Sequence, residues 1–307
     1  MEKILETKNL TKRFNQQIAI NNVSMTIHKG DIYGLIGKNG AGKTTLLKLI
    51  TQLIQPSNGQ ICLFGSSNQS ALTKALKRSG SVIEYPVAYE QLSAYDNLKY
   101  YCTLRGIINP DQVIKETLEF VNLQDTKDKK FKNFSLGMKQ KLGIAIAILS
   151  RPDFLILDEP INGLDPLAIV EFRQLIHRLN KEKGMTIIIS SHILSELYQV
   201  ATRFGFIENG QLIKEISKEA FNIASEDYIV LETSDIDKAS QLIQELWQLK
   251  IKVVDNQTIH IFGQSHHVNE MIHQLIQHQI MINGIYYSKQ NLENYFTQLL
   301  TNQKGEL

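Results

Sequence analysis

The nine residues Gly37-Lys38-Asn39-Gly40-Ala41-Gly42-Lys43-Thr44-Thr45 decide how this chain is read. They fit the pattern G-x-x-x-x-G-K-[ST] and stand between two regular segments. Before them, Ile32 to Ile36 reads as an apolar buried strand; after them, Lys43 to Leu53 has the apolar spacing of a helix that stops before Pro56, Asn58 and Gly59. In that setting the glycines let backbone N–H groups turn inward around phosphate oxygens, and the helix end adds the positive side of its dipole. Gly37, Lys38, Asn39, Gly40, Ala41, Gly42 and Thr45 are therefore expected to form a phosphate cradle. Lys43 is expected to reach the β- and γ-phosphates of a nucleotide. Thr44 would offer its hydroxyl to Mg²⁺, a hard ion that accepts few protein oxygens.

Working outward, Asn22 to Ile27 alternates as a half-buried strand and Lys29-Gly30-Asp31 reads as a turn. Phe154 to Leu157 and Met185 to Ser190 are short apolar strands separated by a helix over Leu167 to Asn180, an alternation that implies parallel pairing in a layered α/β sheet. Ligands in such sheets sit beyond the carboxyl ends of the strands. The first of these strands runs into Asp158-Glu159, two carboxylates that a buried strand presents only to a ligand. Asp158 is assigned to the Mg²⁺ shell, and Glu159 to orienting and deprotonating the water that attacks a γ-phosphate. The stretch from Ala71 to Phe131 is mostly helical in pattern, with helices over Ser93 to Leu104 and Gln112 to Val121 and an extended break at Ser81 to Tyr85. It belongs to a helical lobe of about residues 82–150.

The chain has 307 residues with 33 Lys+Arg against 31 Asp+Glu, a near balance that disfavours a polyelectrolyte partner. The charge is unevenly spread. Residues 225–307 hold 5 Lys+Arg and 10 Asp+Glu, no Arg, and five of the eight histidines, which places a domain boundary near Ile223 to Glu226. The expected domains are 1–224 and an accessory domain, 225–307. The latter reads as strand, helix, strand, a turn at Asp255-Asn256, strand, helix, strand and a last helix over about 291–300. Its acidic balance argues against nucleic acid. His266-His267 has no carboxylate or cysteine at ligand spacing and reads as a solvated loop. Cys62 and Cys102 lack the spacing of a zinc site or a disulfide framework. Apolar runs such as Leu142 to Leu149 fall far short of the roughly 20 residues that cross a bilayer, and the N-terminus has no secretory pattern, so a cytoplasmic chain is expected.

The order of these motifs resembles the ATP-binding cassette family, the nucleotide-binding subunits of ABC transporters, over about residues 3–220. The resemblance also covers Ser135-Leu136-Gly137-Met138-Lys139-Gln140, where that family has its signature motif, with Leu136 and Met138 departing from the commonest form. The implied fold is an α/β cassette of the P-loop NTPase type: a RecA-like core with antiparallel β and helical subdomains, here with a small C-terminal α+β domain. The implied activity is hydrolysis of ATP with Mg²⁺. In the family, the signature contacts ATP held by a second cassette, so Ser135 and Gly137 are expected to bind nucleotide across a homodimer. Pro160 to Asp165 matches the loop that places Asp165 at that interface. His192 matches the histidine that touches the γ-phosphate, and Phe14 the aromatic that stacks on adenine.

One position departs from the family in an informative way. Ser81-Val82-Ile83-Glu84-Tyr85-Pro86 has Glu84 where cassettes usually carry a glutamine that senses Mg²⁺, so the resemblance implies that Glu84 reaches Mg²⁺ through water at the nucleotide site while bringing negative charge beside the phosphates. The substitution, with Ser93 to Leu98 and Ser135 to Leu142, is similar to the subgroup serving bacitracin resistance and lantibiotic immunity. That resemblance implies an ATPase subunit, peripheral on the inner face of the cell membrane, that powers a separate permease to expel a peptide antibiotic. An exporter of another drug or a lipid, and a soluble ATPase outside transport, are the alternatives.

Overall fold

The computed structural model describes residues 2–126, 128–224, 228–263, 268–288, 293 and 295–297. By its internal contacts the chain divides into Met1–Lys218 and Glu219–Leu307. The division falls six residues before the expected 224/225 boundary: the composition changes after the helix Lys218–Ala224, whereas the contacts change at its start.

In the first unit, β1 (Lys3–Phe14) and β2 (Gln17–His28) form an antiparallel pair. Next come β3 (Ile32–Ile36), α1 (Lys43–Ile50) and β4 (Asn58–Leu63), the last pairing with β1 to give a three-stranded sheet, β2-β1-β4. Helix α1 ends three residues before the expected Leu53. Gln52 adopts a left-handed conformation at φ 57° and the Leu53 N–H donates to the Lys48 carbonyl at 2.9 Å, a closure that stops the helix without help from Pro56.

Helix α2 (Gln69–Leu76) leads to β5 (Ser79–Val82), and α3 (Ala94–Leu104), α4 (Pro110–Phe120) and α5 (Leu136–Ile148) follow. The extended break therefore lies earlier than the expected Ser81 to Tyr85, because Glu84 turns left-handed at φ 63° and ends the strand direction. Helix α5 is buried almost all round, from Leu142 to Ile148, as its continuous apolar sequence requires.

Strand β6 (Phe154–Asp158), α6 (Pro166–Lys181), β7 (Thr186–Ser191), α7 (Leu194–Val200), β8 (Arg203–Glu208) and β9 (Gln211–Ser217) complete this unit. Six strands make one sheet in the order β5-β6-β7-β3-β8-β9, parallel except for the pair β8-β9. Strands β3, β6 and β7 are buried along their whole length, which explains their unbroken apolar sequences. Their register brings the strand ends level: Asp158 pairs with Ser190, and Ile36 with Ser191.

The second unit begins with α8 (Lys218–Ala224), whose first residue belongs to the first. Then come β10 (Tyr228–Glu232), α9 (Ile236–Trp247), β11 (Lys250–Asp255), β12 (Thr258–Phe262), α10 (Val268–Gln277) and β13 (Gly284–Ser288). Its antiparallel sheet has the order β11-β12-β10-β13. Ile229, Leu231, Ile259 and Ile261 pack with Leu242, Ile243, Met271 and Leu275 of the two helices. The unit is the expected small α+β domain. Most of the last helix, about 291–300, and His266-His267 lie outside the described residues. No helix of the described residues is long and apolar enough to cross a membrane.

Gly80 of β5 faces the Ala147 backbone of α5 so closely that a Cβ would overlap its carbonyl oxygen. Gly80→Ala is expected to destabilise the first unit by about 1–3 kcal/mol, as overpacked core sites do. A lowered urea midpoint for the loss of helical circular dichroism checks it; an unchanged midpoint contradicts this packing.

Candidate nucleotide-binding site

The loop between β3 and α1 is pressed into place by its neighbours. A Cβ on Gly37 would meet the Ile207 carbonyl oxygen at 2.5 Å. Gly42 combines φ 108° with an approach of 2.8 Å from its Cβ position to the Ala19 carbonyl, so only glycine fits there without strain. As the N-cap of α1, Gly42 brings no side chain to the first N–H groups of the helix. Those donors and the helix dipole are left to an anion.

Lys43 is 5% exposed at its side chain, and its ammonium donates to the carbonyls of Gly37 at 2.6 Å and Lys38 at 3.1 Å. Its third neighbour is Oε1 of Glu159, 3.1 Å away. That oxygen is buried and lacks an aligned hydrogen-bond donor, so the contact is an ion pair without hydrogen-bond geometry. The other oxygen, Oε2, lies 2.9 Å from Nδ1 of His192. Lys43, Glu159 and His192 thus form one connected line of charge-bearing groups, drawn from the start of α1 and the residues that follow β6 and β7.

Ser190 fixes the backbone of this line. Its Oγ donates to Oδ1 of the buried Asp158 at 2.6 Å and accepts from the Glu159 N–H at 2.9 Å. Glu159 itself is held at φ 46°, a conformation unusual for a residue with a side chain, as strand-end functional residues often are. Sequence reading missed Ser190; its signal was two small polar residues, Ser190-Ser191, closing an apolar strand, both fully buried here.

Beside this line opens a cleft of about 490 Å³. Of the expected residues, Phe14, Asn39, Gly40, Gly42, Lys43, Thr44, Thr45 and Glu159 line it. Gln17, Ile18 and Ala19 and the pair Asn209-Gly210 also line it, and these were not foreseen. They come from the start of β2 and from the turn joining β8 to β9, which only the folding of the two sheets together brings to the phosphate loop. Phe14 is 47% exposed, with an open aromatic face to offer.

Four expected residues are placed elsewhere. Glu84 does not line the cleft; its carboxylate is 2.5 Å from the ammonium of Lys48 on α1. Ser135 is exposed and caps α5, its Oγ accepting from the Met138 N–H at 3.3 Å. Asp165 is likewise exposed and caps α6, accepting from the Ala168 N–H at 2.9 Å. Gly137 brings these two helix starts together, with its Cβ position 3.2 Å from the Ala168 Cβ. Ser135, Gly137 and Asp165 therefore share a neighbourhood around the starts of α5 and α6.

A glycine-bound lysine facing a carboxylate at a parallel strand end is an arrangement that can hold and cleave a nucleoside triphosphate. Comparison with known proteins agrees. The model of the family described as ABC transporter matches residues 20–162. The bacitracin transport ATP-binding protein BcrA of Enterococcus faecalis is 40% identical over 300 residues, 98% of this chain and 97% of that protein. The chain belongs to the ABC transporter family. It is an ATP-binding subunit of that family and an ATPase. The lantibiotic transport ATP-binding protein SrtF of Streptococcus pyogenes is 45% identical over 212 residues, 69% of this chain and 90% of that protein. A solved structure described as the ATP binding subunit of an ABC transporter is 30% identical with a TM-score of 0.63, covering 72% of this chain and 92% of that one.

Ser190→Ala would leave the Glu159 N–H without its acceptor and Asp158 without its donor. The expected result is a fall in kcat for ATP hydrolysis of about ten- to a hundredfold through misplacement of the strand end, with ATP affinity nearly kept. Steady-state turnover and nucleotide titration separate the two; an unchanged kcat contradicts the role given to Ser190.

Proposed function

We propose that this ATPase subunit powers a separate membrane permease that expels a peptide antibiotic of the bacitracin type. The hydrolytic part rests above all on the Lys43–Glu159–His192 line beside the glycine loop. Phosphates enter the cradle of Gly37 to Thr45, and Lys43 exchanges the Glu159 carboxylate for phosphate oxygens. Phe14 stacks on the adenine. A threonine hydroxyl and a buried carboxylate are hard oxygen donors that suit Mg²⁺, and Thr44 and Asp158 would hold it. That ion supplies charge neutralisation at the β- and γ-oxygens when bound. Glu159, released from Lys43, orients the attacking water and takes its proton. His192 holds the Glu159 carboxylate in line and meets the γ-phosphate.

The exposed Ser135 and Asp165, with the half-buried Gly137 between them, are the groups of this chain that would face nucleotide on a second copy, giving a homodimer in the ATP-bound state. The permease would meet the exposed apolar side chains Tyr85, Val87 and Tyr89 beside the helical lobe, which puts the chain at the cytoplasmic face of the membrane. The cargo assignment is supported by relatives. Similarity to the bacitracin transport protein runs through both units of this chain, whereas similarity to the lantibiotic transport protein spans 212 residues, close to the length of the first unit alone.

Glu159→Gln is expected to bind ATP and lower turnover by about 10²–10⁴-fold, the usual worth of a general base; Lys43→Ala is expected to lose ATP binding. Normal turnover in the Glu159 variant would sink the proposed base. For the cargo, a sensitive bacterium co-expressing the chain with its permease should gain protection against bacitracin, and lose it with Glu159→Gln. Protection against nisin-like peptides alone favours lantibiotics, and protection only against unrelated drugs contradicts a peptide cargo.

A further inference from the structure

The register of the parallel sheet sets the end of β5, which leads to Glu84, beside β6, which leads to Glu159. Val82, the last residue of β5, pairs with Leu157 of β6, so Glu84 follows two residues after a strand end that lies next to Asp158, the last residue of β6. Yet Glu84 is bound by Lys48, with Nζ and Oε1 2.5 Å apart. Lys48 follows Thr44 by four residues on α1, one helical turn, so the two side chains share a helix face. The ion pair therefore stands one turn from the hydroxyl assigned to Mg²⁺. Its members are 30% and 54% exposed, and exposed pairs are weak and readily exchanged. Glu84 also pays for a left-handed backbone, φ 63°, supported by a hydrogen bond from the Tyr85 N–H to the Ile83 carbonyl at 2.9 Å.

We propose that Lys48 is a positioning residue that withholds Glu84 from the cation side of the site and so sets how strongly nucleotide binding depends on a divalent cation. The proposal rests on the assignment of Thr44 and Asp158 to Mg²⁺. With Lys48 in place, Glu84 is part of a neutral pair and contributes little charge beside the phosphates. Without Lys48, the bare carboxylate attracts a divalent cation at Thr44 and repels a nucleotide that arrives without one.

The test is the ratio of ATP dissociation constants measured by calorimetry in EDTA and in Mg²⁺, using the full chain. Lys48→Met is expected to widen that ratio by about two- to fivefold, the range of an exposed ion pair. Lys48→Arg should leave it near the parent value, because the pair survives. In a Glu84→Gln background, Lys48→Met should no longer widen it. A shift by the same factor in both conditions, or a widening that persists with Glu84→Gln, overturns the proposal. Failure of the underlying reading looks different: the parent chain would then bind ATP equally well with and without Mg²⁺, or not bind it.

Discussion

A buried ammonium needs compensation from every side, and the Lys43 ammonium is buried almost completely. Two of its partners, the carbonyls of Gly37 and Lys38, belong to the loop after β3; the third, Glu159, follows β6. Strand β7 lies between β3 and β6, so these partners meet only if the sheet takes the order β6-β7-β3 with its strand ends level. The intervening strand supplies Ser190 and His192, which hold Asp158 and Glu159 from the other side. One compensated charge thus ties three parallel strands together where their dipoles and loops converge. The apolar layers of those strands supply the rigidity that keeps the ends in register.

The same arrangement explains how one site can be both stable and reactive. Glu159 combines a left-handed backbone with a carboxylate oxygen buried against a cation without hydrogen-bond alignment. An anionic ligand competing for Lys43 therefore displaces a carboxylate that already has a second partner in His192. The cost of exchange is low because charge is passed along the line instead of being stranded.

Much of this was legible before any coordinate. The phosphate loop, the carboxylates at the end of an apolar strand and the small α+β tail each depend on local pattern, so periodicity and glycine spacing reveal them. What stayed hidden depends on contacts across the chain. Lys48 and Glu84 are 36 residues apart, and nothing local to either marks the pair. Gln17 to Ala19 at the start of β2 and Asn209-Gly210 in the β8–β9 turn reach the cleft because the two sheets meet there, as the hydrogen bond from the Asn21 N–H to the Gly210 carbonyl shows. The end of α1 was misplaced because Gln52 closes it through backbone geometry, a role that the apolar spacing through Leu53 conceals.

The central claim is that Glu159 and His192 work as one unit on nucleotide held by Lys43. A double-mutant cycle on ATP turnover measures it directly, using Glu159→Gln, His192→Ala and the double variant. Residues that act together are far from additive. The account predicts that the double variant turns over no more than a few-fold slower than Glu159→Gln alone. Multiplicative losses, with each substitution costing the same factor in either background, would contradict it.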